Sequence, residues 1–298
     1  MSLISCQGLS KRFGSTLAVD QLTIDIPAGE PIALIGPNGA GKTTLLSLIC
    51  GFIKPSAGTV TVLGCAPGAD ELGGRLSALP QDAQFDPRLN IGRQLQLFAR
   101  LQGMNRSQAG QEVQRVLDTV GLLDSIKQKP DQLSHGMRKR IALAQALIGR
   151  PELVLLDEPT AGIDPPNAKL IRDLIRQESN HTTFIVSSHN LDELERLCAS
   201  VIYLEKGRLV SFGSVADDAH NDVLTLRLPN VAETEVIEAS LHLPLVSNVT
   251  RTVQGDYLIE TTDDMQTSAA LMQMLKERGW QYRHLVRGKT LEERLYGQ

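Results

Sequence analysis

The sequence predicts an α/β protein followed by a smaller α+β domain. Up to about residue 212, short apolar runs alternate with helical patterns, which is typical of a mostly parallel sheet covered by helices. A polar stretch at 214–221 follows. After it, the order strand, helix, strand, strand, helix, strand is that of a ferredoxin-like unit. We therefore expect two domains, at 1–215 and 222–298, which a chain of 298 residues readily accommodates.

The predicted strands of the first domain are short runs rich in apolar residues. They lie at 22–26, 32–35, 59–63, 76–80, 153–157, 183–187, 201–204 and 208–212. Between 91 and 123 the alternation gives way to a helical, polar-rich pattern, and Asn90 is a candidate N-cap for its first helix. We interpret the region of about 90–150 as an inserted helical subdomain.

The second domain is predicted from its own periodicity. Its strands are expected at 223–228, 246–253, 257–262 and 281–286, and its helices at 233–241, 265–278 and 291–296. A turn at Gln254-Gly255-Asp256 joins the two middle strands.

Composition narrows the class of protein. A net charge of −4 and an aromatic content of 4% disfavour a nucleic-acid-binding role. The four cysteines lack metal-binding spacing, so we expect buried free thiols in a reducing cytosol. Residues 1–6 have no charged segment before an apolar stretch and no apolar run reaches membrane-spanning length, so we expect neither a signal peptide nor a membrane span. We expect a soluble, cytoplasmic chain whose membrane role, if any, needs a partner.

The most specific motif lies between Gly36 and Thr43 and fits the phosphate-binding pattern G-x-x-x-x-G-K-[ST]. A predicted strand precedes it and a helical pattern follows, which is the context that the pattern requires, so a chance glycine-rich turn is the weaker reading. Its glycines let backbone N–H groups turn toward phosphate oxygens, Lys42 reaches the outer phosphates, and Thr43 binds Mg²⁺. The predicted nucleotide-binding residues here are Gly36, Pro37, Asn38, Gly39, Ala40, Gly41, Lys42, Thr43 and Thr44.

Two carboxylates follow the apolar strand at 153–157. Asp157 emerges at the carboxyl end of the strand, where open α/β sheets bind ligands, and we expect it to hold Mg²⁺ opposite Thr43. Glu158 is the candidate general base for an attacking water. The alternative, two solvated acids that end a strand, is disfavoured by the phosphate loop upstream.

Three further motifs follow in order: Leu-Ser-His-Gly-Met at 133–137, Ala-Gly-Ile-Asp-Pro at 161–165, and Ser-His at 188–189. Together with the phosphate loop and the 153–158 segment, they resemble the nucleotide-binding subunit of ATP-binding cassette (ABC) transporters over residues 2 to about 215. The resemblance implies a P-loop ABC ATPase core that hydrolyses ATP with Mg²⁺. It also implies a homodimer that drives transport through a separate integral membrane permease, at the inner face of the cell membrane.

The resemblance also assigns roles to single residues. Phe13 matches the aromatic that stacks on adenine, with a core phenylalanine as the alternative. Gln81 matches the glutamine that touches Mg²⁺ or the attacking water, and the stretch 82–91 after it would dock the membrane subunit. His189 matches the switch histidine that contacts the γ-phosphate. Asp164 matches the aspartate that crosses the dimer interface.

Ser134 and Gly136 match the signature loop, and Ser134 is the expected N-cap of a helix at 135–148. In the family this helix start points at the γ-phosphate held by the opposite subunit, so the resemblance implies a two-fold pair with two ATP sites.

The signature departs from its commonest form, because His135 stands in place of a glycine and Met137 in place of a glutamine. His135 either crowds the phosphate, adds a pH-sensitive contact, or points sideways without effect. The variant resembles that of exporter-type ATPases, and the tail at 288–297 resembles that of ABC-2-type exporters. Importer ATPase subunits and soluble ABC ATPases that act on a non-membrane partner, such as the ribosome, stay open as alternatives.

Overall fold

The computed structural model describes residues 2–214, 223–252 and 255–288. The chain divides into two units, Met1–Ser214 and Val215–Gln298. In the first unit the strands are β1 (Ser2–Phe13), β2 (Thr16–Pro27), β3 (Ile32–Ile35), β4 (Ala57–Val62), β5 (Leu76–Leu79), β6 (Leu153–Asp157), β7 (Thr183–Ser187), β8 (Ser200–Glu205) and β9 (Arg208–Ser214). Its α-helices are α1 (Lys42–Ile49), α2 (Ile91–Leu101), α3 (Arg106–Thr119), α4 (His135–Ala146), α5 (Pro165–Glu178) and α6 (Leu191–Leu197).

A six-stranded sheet in the order β5-β6-β7-β3-β8-β9 forms the centre of the first unit. Its first five strands run parallel, and β9 pairs with β8 in the antiparallel sense. All four residues of β3 and all five of β7 are buried, as expected for parallel strands that are covered on both faces. The phosphate loop follows β3 and Asp157 ends β6, so both lie at the carboxyl edge of this sheet.

A separate three-stranded antiparallel sheet, in the order β2-β1-β4, was not foreseen. The segments 22–26 and 59–63 belong to it, so their assignment to the parallel sheet is wrong, and β1 was missed altogether. The apolar period of β1 is interrupted at Gly8, where φ is +56° and the register shifts between Cys6 and Leu9. Such a shift breaks the two-residue period by which a strand is recognised.

One continuous core joins the two sheets. It contains buried side chains from both sheets and from α1, including Ile4, Leu22, Leu48 and Leu155. Because α1 packs into this core on its apolar face, the helix start that follows the phosphate loop is held firmly at the edge of the sheet.

The region interpreted as a helical insertion contains the helices α2 and α3, with a break between them that the pattern did not show. Asn90 caps α2 by accepting a hydrogen bond from the backbone N–H of Arg93 at 2.9 Å. A second cap, Asn105, starts α3 and accepts from the N–H of Gln108, so 91–123 is two helices rather than one pattern.

The second unit has the predicted element order. Its elements are β10 (Val223–Arg227), α7 (Glu233–Leu241), β11 (Val246–Arg251), β12 (Tyr257–Thr261), α8 (Asp264–Glu277) and β13 (His284–Arg287). The antiparallel sheet order β11-β12-β10-β13 is the ferredoxin-like arrangement, with the first and third strands in the centre. The predicted helix at 291–296, most of the linker at 214–221, and Gln254 of the predicted turn lie outside the described residues.

The four cysteines are free, as predicted, but only Cys6 and Cys198 are buried, whereas Cys50 and Cys65 are partly exposed. Burial raises the pKa of the thiols of Cys6, Cys50 and Cys198 to about 12, with Asp25 contributing at Cys6. Within the described ranges, no helix has both the length and the apolar character needed to cross a membrane.

Candidate functional site

The loop between β3 and α1 has a backbone that only glycine fits at two positions. Gly36 has φ +150° and Gly41 has φ +101°. A Cβ on Gly36 would lie 2.2 Å from the carbonyl oxygen of Leu204, and one on Gly41 would lie 2.3 Å from that of Ala18. The loop is thus pressed against β2 and β8, which fixes its path at the positive end of α1.

Lys42 curls back into this loop. Its Nζ donates to the carbonyl oxygens of Gly36 at 2.6 Å and Pro37 at 3.2 Å. The ammonium group therefore lies within the phosphate loop, at the position expected for a lysine that binds the outer phosphates.

Asp157 is held by two hydroxyl groups. Thr43 Oγ1 donates to its Oδ2 at 3.0 Å, and Ser187 Oγ donates to its Oδ1 at 2.5 Å. The parallel pairing of β6 with β7 puts Asp157 directly opposite Ser187. The predicted opposition of Asp157 and Thr43 is thus seen directly. Ser187 was missed because a serine that ends a strand carries no signal in one sequence.

Glu158 occupies a strained backbone position directly after β6. Its φ is +50°, in the left-handed region that costs a residue with a side chain about 1–3 kcal/mol. Its N–H donates to Ser187 Oγ at 3.1 Å. Its Oε2 lies 2.9 Å from Nδ1 of His189. The carboxylate is 13% exposed and the imidazole 74% exposed, so the candidate base is sheltered behind the candidate switch histidine.

A cleft of about 320 Å³ brings the predicted groups together. It is lined by Asn38–Thr44 of the loop and by Gln81, Asp157 and Glu158, with Ala18 from β2. Ala18 was missed by the sequence analysis. Phe13 is 49% exposed with Lys11 Nζ 5.0 Å from its ring centroid, so the alternative of a core phenylalanine is wrong.

The signature segment packs against the loop that carries Asp164. Ser134 caps α4, its Oγ accepting from the N–H of Met137 at 3.2 Å. A Cβ on Gly136 would come within 2.5 Å of the Asn167 side chain, and Asn167 donates to Asp164 Oδ1 at 2.6 Å. Glycine is therefore needed at 136 to admit Asn167, a contact that the sequence did not indicate.

The signature residues do not line the nucleotide cleft of their own chain. Among the described residues around that cleft, neither Ser134 nor Gly136 nor Asp164 is found. His135 is exposed, and its Nε2 would lie 3.6 Å from a Cβ on Gly162. The imidazole thus points sideways, toward a loop of its own chain.

A polar network behind His189 was also missed. Glu193 accepts from Thr160 Oγ1 at 2.8 Å and from the guanidinium of Arg172 at 2.7 Å. It ties the first turn of α6 to α5 and to the segment between Glu158 and Asp164. This network borders a second cleft, of about 380 Å³, that includes His189.

A phosphate loop at a helix start, facing the two carboxylates that end and follow β6 at the same edge of a parallel sheet, defines a P-loop nucleoside-triphosphate hydrolase. Comparison with known proteins identifies the branch. The ABC transporter family model matches residues 19–161. The ABC transporter ATP-binding protein YdbJ of Bacillus subtilis (strain 168), described as uncharacterized, is 36% identical over 211 residues, which are 70% of this chain and 68% of YdbJ.

Other similar proteins agree. Nod factor export ATP-binding protein I of Burkholderia lata is 35% identical over 214 residues, 71% of this chain and 70% of that protein. The solved structure of cbiO1 from Clostridium perfringens, part of the ABC transporter complex cbiONQ, has a TM-score of 0.67 at 25% identity. That match covers 82% of this chain and 96% of cbiO1.

This chain belongs to the ATP-binding subunits of ABC transporters. It binds and hydrolyses ATP, and it works with a membrane permease component to drive transport.

Proposed function

We propose that two copies of this chain bind two ATP molecules, each with Mg²⁺, between them and thereby power export through a separate membrane subunit. One observation carries the dimer. The nucleotide cleft is lined by the phosphate loop, Gln81, Asp157 and Glu158, whereas Ser134 and Gly136 lie away from it. A second copy, placed head to tail, would supply the signature helix start that one chain lacks at its own cleft.

The side chains at the cleft suit Mg²⁺. Thr43 offers a hydroxyl, Asp157 a carboxylate and Gln81 an amide, and such hard oxygen ligands are the ones that Mg²⁺ prefers. When bound, the ion would neutralise charge on the β- and γ-phosphates.

The remaining groups position and deprotonate the attacking water. Lys42 would exchange its carbonyl partners for phosphate oxygens. Glu158 would take the proton of the water. Nδ1 of His189 and the hydroxyl of Ser187 hold Glu158 in place for this step. With most of its side chain exposed, His189 has its other ring nitrogen available for the γ-phosphate. Asp164 would reach across the interface, and Phe13, which is half exposed, would stack on adenine.

The segment 82–91, which we propose faces the membrane subunit, is held in its conformation by hydrogen bonds from α2 of the same chain. Gln94 of α2 is 5% exposed; its Oε1 accepts from the N–H of Asp86, and its Nε2 donates to the carbonyls of Asp86 and Leu89. The hydrogen bonds from Arg88 lower the pKa of Asp86 to about 2, so this carboxylate is charged at neutral pH. A preformed, charged segment next to Gln81 suits a site that docks a partner helix and reports the nucleotide state to it. Such docking would hold the subunit peripherally at the inner face of the membrane.

The dimer is tested with Glu158→Gln. Removing the base should lower ATP turnover by about a hundredfold or more while leaving ATP binding intact. We therefore expect this variant to sediment as a dimer with Mg²⁺ and ATP, and as a monomer with ADP. Unchanged steady-state turnover would contradict the role of Glu158. A protein that stays monomeric at saturating Mg²⁺ and ATP, even with its membrane subunit reconstituted, would contradict the dimer.

Direction of transport is supported by the similarity to a Nod factor export ATP-binding protein and by the signature variant. Mass spectrometry of the membrane protein that copurifies with this chain tests it. An exporter-type permease is the expected result. An importer permease, or ribosomes without any permease, would replace export by one of the alternative functions.

A further inference from the structure

The first two turns of α4 present two basic side chains to a neighbouring segment of the same chain. His135 and Lys139 are four residues apart and so lie on the same side of the helix. Both line a cleft of about 400 Å³ whose other walls are Gln81–Gln84 and Ala161–Gly162. This side of α4 therefore faces the segment that follows β5.

Lys139 makes a direct bond across this cleft. Its Nζ donates to the backbone carbonyl oxygen of Gln81 at 2.9 Å, joining residues 58 positions apart. Burial lowers the pKa of Lys139, while the charges of Asp82 and Glu158 counter that effect. Yet, among the residues that the structure describes, no carboxylate lies within 4.0 Å of Nζ. The ammonium thus holds the backbone of Gln81 rather than forming an ion pair.

The two ends of this bond belong to different parts of the catalytic machinery. Gln81 lines the nucleotide cleft together with Asp157 and Glu158. Lys139 lies on the helix that begins at Ser134, the part of the chain that the proposed dimer offers to the second nucleotide. One hydrogen bond therefore connects the chain's own ATP site to the segment that completes the other site.

We propose that Lys139 is a positioning residue that sets the place of Gln81 relative to α4 and so couples the two ATP sites of the dimer. The coupling rests on the proposed dimer; the placement of Gln81 by Lys139 does not. Contact with the carbonyl rather than the side chain leaves the Gln81 amide able to face Mg²⁺ and the water. A shift of α4 on dimer closure would move Gln81 with it.

The test compares Lys139→Met, which keeps the aliphatic stem, with Lys139→Arg, which keeps a cationic donor. Lys169→Met, at an exposed lysine of α5, is the matched control. Steady-state kcat and KM, ATP affinity, thermal stability, and hydrogen exchange of the peptide over 80–84 are measured for each. For Lys139→Met we expect kcat to fall about tenfold or more, because small misplacements near reacting groups have large effects. ATP affinity should change less than about twofold, since the phosphate loop is untouched. Exchange over 80–84 should be faster.

Lys139→Arg should recover most of kcat and slow the exchange again, and Lys169→Met should match the wild type. Wild-type kcat and exchange in Lys139→Met would overturn the proposal, as would an equal loss in both Lys139 variants accompanied by lower thermal stability. The dimer is checked separately: failure of Glu158→Gln to dimerise would remove the coupling between sites, whereas a changed exchange over 80–84 would still uphold the placement of Gln81.

Discussion

At the scale of single residues, Ser187 shows how the site is assembled by register. The hydroxyl donates to Asp157 and accepts from the N–H of Glu158, so one buried side chain orients both acids. The strained backbone of Glu158 needs such support, because a left-handed residue persists only when its surroundings hold it.

We predict that Ser187→Ala lowers kcat by about tenfold while changing ATP affinity little, because both acids lose one orienting partner. Its free energy of unfolding should fall by about 1–2 kcal/mol, the usual effect of losing a buried hydrogen bond. Steady-state kinetics and urea unfolding measure the two effects. Ser179→Ala, which removes a hydroxyl bonded at the end of α5, is the control and should keep the wild-type kcat. A kcat of Ser187→Ala equal to that of the wild type would show that Ser187 orients neither acid.

The sequence was sufficient to predict those site residues that belong to a local sequence motif. Gly36, Lys42 and Asp157 were all predicted, because their spacing and flanking strand have a direct physical meaning. Ser187 and Asn167 were not, since each acts only through a neighbour that is distant along the chain. No local pattern shows that β6 lies beside β7 or that Gly136 faces α5.

At the scale of elements, the inserted helical region depends on a charged cluster between α3 and the end of α4. Glu112 accepts from the guanidinium of Arg115 and from the N–H of Gly149, and Arg115 also donates to the carbonyl of Leu147. Burial alone would raise the pKa of Glu112, but Arg115 and the Gly149 N–H lower it below its ordinary value. The cluster thus provides hydrogen-bond partners for a backbone carbonyl and a backbone N–H at the C-terminal end of α4, which lack partners within the helix.

We predict that Glu112→Ala lowers the free energy of unfolding by about 2 kcal/mol near neutral pH, since hydrogen bonds to a charged group are lost. Because the folded-state pKa is depressed, the stabilisation is present above the ordinary value of 4.5 and is lost as the pH falls through the folded value. The difference from the wild type should therefore shrink below about pH 4.5, as measured by urea unfolding at several pH values. Asp173→Asn, in a half-exposed pair on α5, should change stability by less than about 0.5 kcal/mol. A difference that grows as the pH falls would contradict the assignment.

Element boundaries were predictable where a cap or an uninterrupted apolar run marks them. Asn90 marked the start of α2, and the four residues of β3 were found in full. The split between α2 and α3 and the strand β1 were not found. In both cases an irregular residue, Asn105 or Gly8, interrupts the period that a pattern search follows. The sheet to which β2 and β4 belong was mispredicted for the same reason. These two strands are joined only through β1, and β1 was not found.

At the scale of the whole molecule, the chain joins an ATPase unit to a second unit that has its own core. That core draws Leu224, Val236, Ile259 and Leu271 from both helices and the central strands. All residues assigned to the nucleotide site lie in the first unit, at or before His189. The ferredoxin-like order was predictable because apolar residues recur with a clear period in each of its elements. Its role in transport was not predictable, because no sequence motif marks it.

The second unit also contains a buried ion pair that allows the two units to be tested separately. Arg227 donates to both oxygens of Asp256 at 2.6 and 2.7 Å, and Asp256 is 1% exposed. Nε2 of His284 lies 3.4 Å from the same carboxylate. Replacing Asp256 removes both of these hydrogen bonds to the guanidinium of Arg227, and hydrogen bonds to charged groups contribute about 1.5–3 kcal/mol each.

We predict that Asp256→Ala lowers the melting temperature of the second unit and leaves the first unit folded. Calorimetry of the full chain should show one transition shifted downward, while ATP hydrolysis measured below that transition stays within about twofold of the wild type, because no group that meets ATP has changed. Glu233→Gln, in an exposed pair with Arg251, is the matched control and should leave both transitions in place. A loss of ATPase activity in Asp256→Ala at a temperature where the first unit is folded would instead mean that the ATPase unit depends on the second unit for its active conformation.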